Sequence, residues 1–176
     1  AAVAVPVALV ILERPMPVAE LVLAEIVLLL RGIPQRNAAA HRGGWIKTAT
    51  GSHEARGKCL GIVGYGRLGR MVAGYLRAFG ARVIAFDPHV GRFDDGTERR
   101  ETLEELLAEA DIDAVAVATP VPHHFPVAKA ALLAGKHVLV EKPLAQTSAQ
   151  CRELIDLASS RKRVLMVGHT FLYNAA

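Results

Sequence analysis

From residue 59 onward the chain alternates short apolar runs with stretches in which apolar residues recur at helical spacing. A continuous apolar run is typical of a parallel strand that helices cover on both faces. Repeated strand–helix units of this length predict right-handed crossovers within one sheet. We therefore predict an α/β fold with a doubly wound parallel sheet, preceded by an N-terminal helical arm. The predicted strands are residues 59–63, 82–87, 113–118, 136–140 and 164–167.

The helical patterns have recognisable ends. Thr102, followed three residues later by Glu105, matches a capping box at the start of a helix over residues 103–110. The stretch before it, residues 88–101, is polar and rich in turn formers, so we expect a loop with at most a vestigial third strand. The other predicted helices after the first cover residues 35–41, 126–133 and 148–160.

The most apolar helical stretch lies near the start of the chain, over residues 18–31. Apart from Glu20 and Glu25 it is apolar on nearly every side, so we expect burial on more than one face. A second subunit would cover the side that its own domain leaves open, while burial of the whole helix within one chain is an equal alternative. Residues 1–12 are rich in Val and Ala with a proline at Pro6, which favours a short strand or an extended arm.

A glycine-rich turn separates the first predicted strand from the next helical pattern. Gly64, Gly66 and Gly69 match the dinucleotide-binding fingerprint, in which the first glycine permits the turn, the second admits the pyrophosphate and the third allows close packing. The phosphates would lie at the helix N-terminus, where N–H groups and the helix dipole attract anions. Arg67 and Leu68 are therefore also predicted cofactor-binding residues. A turn that keeps its glycines for packing alone is the open alternative.

The second predicted strand ends in a carboxylate. Asp87 follows the fingerprint by about 20 residues, the spacing at which an acidic residue accepts hydrogen bonds from an adenosine ribose. A carboxylate repels the 2′-phosphate of NADP. His89 and Arg92 lie close enough in sequence to soften that preference, but the predicted cofactor is NAD.

Composition narrows the classes of function. The 176 residues are 52% hydrophobic and 22% charged, which supports a well-filled core. The net charge of +4 is mild and the basic residues are scattered, so nucleic-acid binding is disfavoured. Cys59 and Cys151 lack the spacing of a metal or redox site, and no metal is predicted. No apolar run reaches the roughly 18 residues of a membrane span and no secretory signal is evident, so we expect a cytoplasmic protein without a membrane partner.

Residues 17–88 contain two longer diagnostic stretches, VAELVLAEIVLLLRGIPQRNAAAHRGGW and ATGSHEARGKCLGIVGYGRLG. Together they resemble the bacterial D-3-phosphoglycerate dehydrogenase branch of the 2-hydroxyacid dehydrogenases, well beyond the glycines. The resemblance implies that the first helix and the loop around Trp45 belong to the cofactor domain and help to build its dimer. A homodimer through residues 18–30 is therefore expected.

From about residue 103 the resemblance changes family. The chain there contains IDAVAVATPVPHHFPVAKAALLAGKHVLVEKPLA and ends in VLMVGHTFLYNAA. Over residues 103–176 it resembles the Gfo/Idh/MocA family, which includes glucose–fructose oxidoreductase and inositol dehydrogenase. The resemblance implies that Lys142 of the EKP motif touches the reacting hydroxyl and acts in catalysis. A lysine at a strand's carboxyl edge beside a nicotinamide would be partly desolvated, which lowers its pKa, although pairing with Glu141 or solvent is the alternative.

Other residues at this edge are expected to contact the cofactor. The HxxxA pattern of the same family places His124 near the cofactor, although a solvated or helix-capping histidine is equally consistent with its position in a loop. Thr119 and Pro120 follow a predicted strand at the edge where ligands bind, and Glu141 precedes Lys142. All three are predicted cofactor-binding residues. The resemblance also suggests a cis peptide bond before the proline of the EKP motif.

Neither resemblance extends over a substrate domain. We predict an arm over residues 1–57, with the helix and the Trp loop packed on the cofactor domain, and a dinucleotide-binding domain over residues 58–176. One interpretation is an NAD-dependent oxidoreductase that moves a hydride between nicotinamide and a hydroxyl-bearing carbon of a sugar or 2-hydroxy acid, its small-molecule substrate. The other is a non-catalytic, NAD-binding, dimerising module or truncated remnant. Either way, the isolated chain is expected to be inactive.

Overall fold

The computed structural model describes residues 16–169. Two helices, α1 (Met16–Leu30) and α2 (Ile33–His41), precede a sheet whose strands alternate with helices. The strands are β1 (Cys59–Val63), β2 (Arg82–Phe86), β3 (Glu98–Arg99), β4 (Ile112–Val117), β5 (His137–Glu141) and β6 (Leu165–Gly168). The helices between them are α3 (Arg67–Ala78), α4 (Leu103–Ala108), α5 (His124–Leu133) and α6 (Ser148–Ser160), and a 3₁₀ turn at Val121–His123 leads into α5.

The six described strands lie parallel in one sheet, in the order β3-β2-β1-β4-β5-β6. The chain begins in the middle at β1, moves outward to β3 and crosses back to β4 on the other side of β1, which confirms the doubly wound topology. Val63 pairs with both Phe86 and Val117, so the carboxyl ends of β2, β1 and β4 meet at one edge. This reversal of strand order creates the crevice in which α/β proteins bind ligands.

Helices cover both faces of the sheet, which explains the continuous apolar runs of its strands. On one face, α4, α5 and α6 pack through a core that includes Leu106, Leu132 and Leu154. On the other face, α3 packs over β1 and β2 and α1 lies beside it, with Val22 and Leu76 among the buried side chains. Full burial of each such side chain stabilises the fold by about 1.5–3 kcal/mol.

α1 contacts the domain through one face only. Ala19, Val22 and Glu25 are buried, whereas Ala24 is exposed and Leu28 is 42% exposed. Residues 16–169 therefore do not bury the whole helix by themselves. Its outer face remains available for the second subunit that the sequence predicts. Within residues 16–169, neither α1 nor any other helix has the length and apolar character needed to cross a bilayer.

The polar stretch after β2 contains only the two-residue strand β3, as expected. α4 ends two residues earlier than predicted because Glu109 adopts an extended backbone and its carboxylate pairs with Arg100. Thr102 caps α4 by accepting the Glu105 N–H, as predicted. In a capping box the Glu105 carboxylate would also accept the N–H of Thr102. Here it accepts the N–H of the preceding residue, Glu101, at 2.9 Å.

The stretch between α2 and β1 is a loop, as predicted, but its tryptophan is not packed as predicted. Residues 42–57 contain no helix or strand, and Trp45 is 84% exposed, so its side chain does not pack on the cofactor domain. Polar contacts hold the loop instead, because Arg36 of α2 donates to the Thr50 carbonyl oxygen and the Ser52 hydroxyl. The predicted strand or arm over residues 1–12 lies outside the described residues.

Candidate functional site

The turn between β1 and α3 has no room for side chains at two of its glycines. Gly64 has φ +98°, and a Cβ there would lie 2.7 Å from the Ala118 carbonyl oxygen. A Cβ on Gly69 would lie 2.2 Å from the Gly64 carbonyl oxygen. The first glycine therefore brings the turn against the loop after β4, and the third brings α3 against β1, as the fingerprint predicts.

Gly66 has the opposite surroundings, since no heavy atom lies within 4 Å of a Cβ at this position. It is the N-cap residue of α3, whose first turn contains no acidic side chain. The first N–H groups of a helix lack partners within the helix and favour an anion. The helix start at Arg67 and Leu68 therefore borders an open space that suits a phosphate. Because the Leu68 side chain packs in the core, its contribution there is through the backbone.

Asp87 lies at the tip of β2 and faces the glycine turn. It is 9% exposed, and its carboxylate oxygens accept the N–H groups of Tyr65 at 2.7 Å and His89 at 2.8 Å. A carboxylate has about four acceptor sites, so acceptor capacity remains for ribose hydroxyls. The carboxylate thus fixes the glycine turn, and its predicted contact with the ribose stays a prediction.

A cluster of side chains around the buried Tyr65, which the sequence analysis missed, holds the loop after β2. The Tyr65 hydroxyl lies 2.6 Å from the Asp95 carboxylate and 2.6 Å from the Thr97 hydroxyl. The Tyr65 and Phe93 ring centroids are 4.0 Å apart, and Arg77 of α3 reaches both Asp95 and Thr97. The cluster therefore ties α3 to the loop that carries the β2 carboxylate.

The hydrogen bond between Tyr65 and Asp95 shifts the pKa values of the two groups in opposite directions. Burial raises the pKa of Tyr65, and its hydrogen bond to Asp95 raises it further. Burial also acts to raise the pKa of Asp95, but hydrogen bonds from Tyr65 and Thr97 and the Arg77 charge outweigh it and hold that pKa at about 2. Tyr65 is thus protonated and Asp95 ionised at neutral pH. Two features of the sequence could have indicated this cluster: an aromatic residue between two fingerprint glycines, and the later Asp–Gly–Thr turn.

His124 is buried, with 1% of its surface exposed, and bridges two loops. Its Nδ1 lies 2.7 Å from the Pro143 carbonyl oxygen and its Nε2 lies 2.8 Å from the Thr119 carbonyl oxygen. Both partners are acceptors, so both ring nitrogens donate only when the ring is doubly protonated. The solvated alternative is wrong. His124 therefore links the loops after β4 and β5 through its two ring nitrogens, and its predicted contact with the cofactor stays a prediction.

Thr119 presents a polar group at the carboxyl edge of β4. Its Oγ1 is buried and has no hydrogen-bond partner, an arrangement that costs about 1–3 kcal/mol when nothing compensates for it. The adjoining Pro120 is exposed. A polar ligand in the crevice would satisfy the hydroxyl. Thr119 and Pro120 therefore remain predicted cofactor contacts.

The end of β5 carries the EKP motif, and its Lys142–Pro143 bond is cis, as the resemblance suggested. Glu141 Oε2 accepts the Lys142 N–H at 3.1 Å, whereas Oε1 is buried without a partner. Burial raises the pKa of Glu141, while Lys142 and His124 act to lower it. Lys142 itself is exposed. Its segment lies beyond the end of β5, where no element within residues 16–169 covers it. The desolvation expected beside a bound nicotinamide stays a prediction.

Glu25 on α1 also reaches this part of the molecule, although the sequence analysis did not place it there. It is 3% exposed, and neither of its carboxyl oxygens has a hydrogen-bond partner. Burial, and then the charge of Glu141, raise its pKa from 4.5 to about 7. The available signal was its position three residues after Val22, on the same face of the helix.

A separate cavity of about 300 Å³ lies at the opposite, amino-terminal edge of the sheet. Leu29 and Leu60 are among its apolar lining residues, and the Lys58–Asp113 ion pair, at 3.0 Å, lies at its margin. The cavity is remote from the glycine turn and is not part of the candidate site. Within residues 16–169, no group of three or more His, Cys, Asp or Glu side chains is placed to hold a metal ion.

Comparison with known proteins agrees with this geometry. The family model GFO_IDH_MocA, an oxidoreductase family with an NAD-binding Rossmann fold, matches residues 58–169. The chain belongs to this family. The Gfo/Idh/MocA match begins at the first strand of the sheet, well before residue 103, where the sequence resemblance was expected to start. The sheet and its helices are thus a Gfo/Idh/MocA NAD-binding domain, and its cofactor is NAD.

Relatives come from both families that the sequence resembles. D-3-phosphoglycerate dehydrogenase of Haemophilus influenzae is 47% identical over 95 residues, which are 54% of this chain and 23% of that protein. UDP-N-acetylglucosamine 3-dehydrogenase of Acidithiobacillus ferrooxidans is 37% identical over 119 residues, which are 62% of this chain and 36% of that protein. The crystal structure of GenD2 from gentamicin A biosynthesis, in complex with NAD, is 35% identical with a TM-score of 0.62 over 69% of this chain and 37% of that one. The chain therefore spans well under half the length of these relatives.

The residues of the Gfo/Idh/MocA domain fit NAD. The open space at Gly66 can receive a pyrophosphate. Asp87 has acceptor capacity for a ribose beside it. The unpartnered Thr119 hydroxyl lies at the same edge of the sheet and can bond a polar group of the cofactor.

We expect His124→Ala to destabilise the domain more than His123→Ala. Removing the buried ring leaves two carbonyl groups without their partners, at a cost of about 1–3 kcal/mol for each, whereas His123 is exposed. Urea unfolding followed by circular dichroism measures both free energies of unfolding. Equal values for the two variants would contradict the bridging role.

Proposed function

We propose that this chain is the cofactor domain of an NAD-dependent oxidoreductase that transfers a hydride between nicotinamide and a hydroxyl-bearing carbon of a sugar or 2-hydroxy acid. The glycine turn carries the proposal, since Gly64 and Gly69 exclude side chains while Gly66 borders open space near Asp87. The substrate class is supported by two relatives, whose names specify 3-phosphoglycerate and UDP-N-acetylglucosamine.

Each part of the edge has a separate task in this proposal. The N-terminus of α3 holds the pyrophosphate, and Asp87 accepts the ribose hydroxyls and repels the 2′-phosphate of NADP. When bound, NAD supplies the nicotinamide carbon that takes or gives the hydride. Lys142, at the end of β5, brings a positive charge to the substrate hydroxyl, polarises it and stabilises negative charge that develops on its oxygen.

A non-catalytic NAD-binding module is the second candidate, and the exposure of Lys142 favours it. Hydride transfer is protected by exclusion of water, and no element within residues 16–169 covers this lysine. Steady NADH formation by the isolated chain with a sugar or hydroxy acid would exclude the non-catalytic module, whereas NAD binding without turnover is expected of both candidates.

The proposed location is the cytoplasm. Cys59 and Cys151 are both free thiols, and free thiols persist in reducing compartments. The proposed ligands are NAD and a small-molecule substrate. Neither nucleic acid nor a membrane is part of the proposal, because the net charge of +4 is mild and its basic residues are scattered.

Gly66→Val is expected to abolish NAD binding, because the new side chain would occupy the space in which the backbone approaches the pyrophosphate. Isothermal titration calorimetry measures the dissociation constant, which should be roughly micromolar for the wild type. Gly74→Val is the matched control, since Gly74 lies further along α3 and also has no heavy atom within 4 Å of its Cβ position. A wild-type chain without binding heat, or unchanged affinity in Gly66→Val, would contradict the proposed function.

We also propose that the chain forms a homodimer through residues 18–30. Leu28 is 42% exposed on the outer face of α1, and Ile33 and Trp45 are exposed in the elements that follow it. Exposed apolar side chains and aromatic residues are common at protein interfaces. The similarity to D-3-phosphoglycerate dehydrogenase, in whose family this helix is expected to build the dimer, supports the same surface.

Leu28→Glu should convert the dimer into a monomer, because an unpaired charge in an apolar interface is strongly unfavourable. Size-exclusion chromatography with light scattering measures the mass of each variant. Ile155→Glu, on α6, replaces another exposed apolar residue outside the proposed interface and should leave the dimer intact. A wild-type chain that stays monomeric at high concentration would remove the proposal.

A further inference from the structure

Two carboxyl groups lie on the side of the sheet that α1 covers. Glu25 follows Val22 by one turn of this helix, and Val22 lines the same small space as Glu141 at the end of β5. Glu25 is buried, and neither of its oxygens has a hydrogen-bond partner. Glu141 Oε1 is also buried without a partner, and its charge acts directly on Glu25. Such groups are costly unless they are paired or protonated. The two residues therefore form a carboxyl pair whose protonation state matters for the packing of α1.

Apolar side chains line the small space that the Glu141 carboxyl group faces. Val22 of α1, Leu68 of α3 and Leu139 of β5 line the same small space as Glu141. A Cβ on Gly168 of β6 would lie 3.1 Å from Glu141 Oε1, so the glycine leaves room for the carboxylate. The position of Glu141 beneath α1 is thus determined by the packing of four elements.

The neighbouring charges decide which carboxyl group keeps a proton. Lys142 and His124 both act on Glu141, and the Lys142 N–H donates to its Oε2 at 3.1 Å. The charge that acts on Glu25 is that of Glu141 itself, while α3 presents the apolar Leu68 to the same space. Two adjacent carboxylates in an apolar site cannot both ionise readily. Glu141 is therefore the anion of the pair, and Glu25 is the neutral acid.

We propose that Glu25 is a positioning residue for the cofactor site. As a neutral acid it lets α1 pack on the sheet and leaves the Glu141 carboxylate bonded to the Lys142 N–H. When Glu25 ionises, its repulsion of Glu141 loosens both α1 and the Lys142 segment at the cofactor edge. Protonation of the Glu25 carboxyl group on α1 is thereby coupled to cofactor binding. The effect on the cofactor rests on the proposed function, whereas the effect on α1 does not.

The pH dependence of stability follows from whether the folded or the unfolded chain binds the Glu25 proton more tightly. The pKa of Glu25 is 4.5 without these surroundings and about 7 in the folded chain. The folded state therefore keeps a proton that the unfolded state releases between these two values. The free energy of unfolding should fall as the pH rises through this interval and then level off. The affinity for NADH should fall as Glu25 ionises near the upper value.

The test compares the wild type with Glu25→Gln and Glu20→Gln. Glutamine retains the shape of the neutral acid but does not titrate, and Glu20 is an exposed carboxylate on the same helix. Urea unfolding and fluorescence titration with NADH are performed between about pH 5 and pH 8. In the wild type and Glu20→Gln, the urea midpoint should fall and the NADH dissociation constant should rise several-fold with pH. In Glu25→Gln, both quantities should stay nearly constant.

Wild-type pH dependence of both quantities in Glu25→Gln would overturn the proposal. If only the dependence of stability disappeared, Glu25 would be a packing residue and the positioning role would be lost. If NADH bound at no pH, the proposed function and the positioning role would fail together, and the unfolding series would still decide the effect on α1. If the variant does not fold, carbon-13 NMR titration of Glu25 in the wild type decides the matter. A midpoint near 7 supports the carboxyl pair, and one near 4.5 overturns it.

Discussion

The close approach of two backbone segments at Gly64 and Gly69 is the constraint on which the rest of the site depends. A Cβ at these positions would lie 2.7 Å and 2.2 Å from carbonyl oxygens, so only glycine lets α3 begin where it does. Because α3 begins there, its N-terminus borders the open space at Gly66, and Asp87 reaches the N–H of Tyr65 in the turn. Packing and anion binding are therefore consequences of one geometry, and the two interpretations of the glycines do not compete.

The same sheet joins segments that resemble two dehydrogenase families. β1 and β2 belong to the segment similar to D-3-phosphoglycerate dehydrogenase, whereas β4, β5 and β6 belong to the segment first identified by its Gfo/Idh/MocA motifs. β1 nevertheless pairs in parallel with β4 along its length. Tyr65 in the first segment holds the intervening loop through Asp95 and Thr97. Because both families use the same strand–helix unit, the match of hydrogen-bond register and buried surface makes the halves compatible.

Features that depend on neighbouring residues could be predicted from the sequence, and features that depend on distant partners could not. The apolar runs located the five main strands to within one residue at each end, and the glycine spacing located the turn. Burial of His124 depends on Pro143, 19 residues away, and the environment of Glu25 depends on Glu141, which lies far along the chain. Helical periodicity describes a face but not what covers it, so it predicted neither these contacts nor the exposure of Lys142.

The most direct test of the central claim is nitrogen-15 NMR titration of the assigned chain with NAD. The crevice at the carboxyl edge is the claimed site, so we expect the amide signals of Gly66, Leu68 and Asp87 to shift with added cofactor. Signals at the opposite edge, such as that of Leu60 beside the separate cavity, should stay in place. No shifts at saturating NAD, or shifts confined to that opposite edge, would contradict the claim.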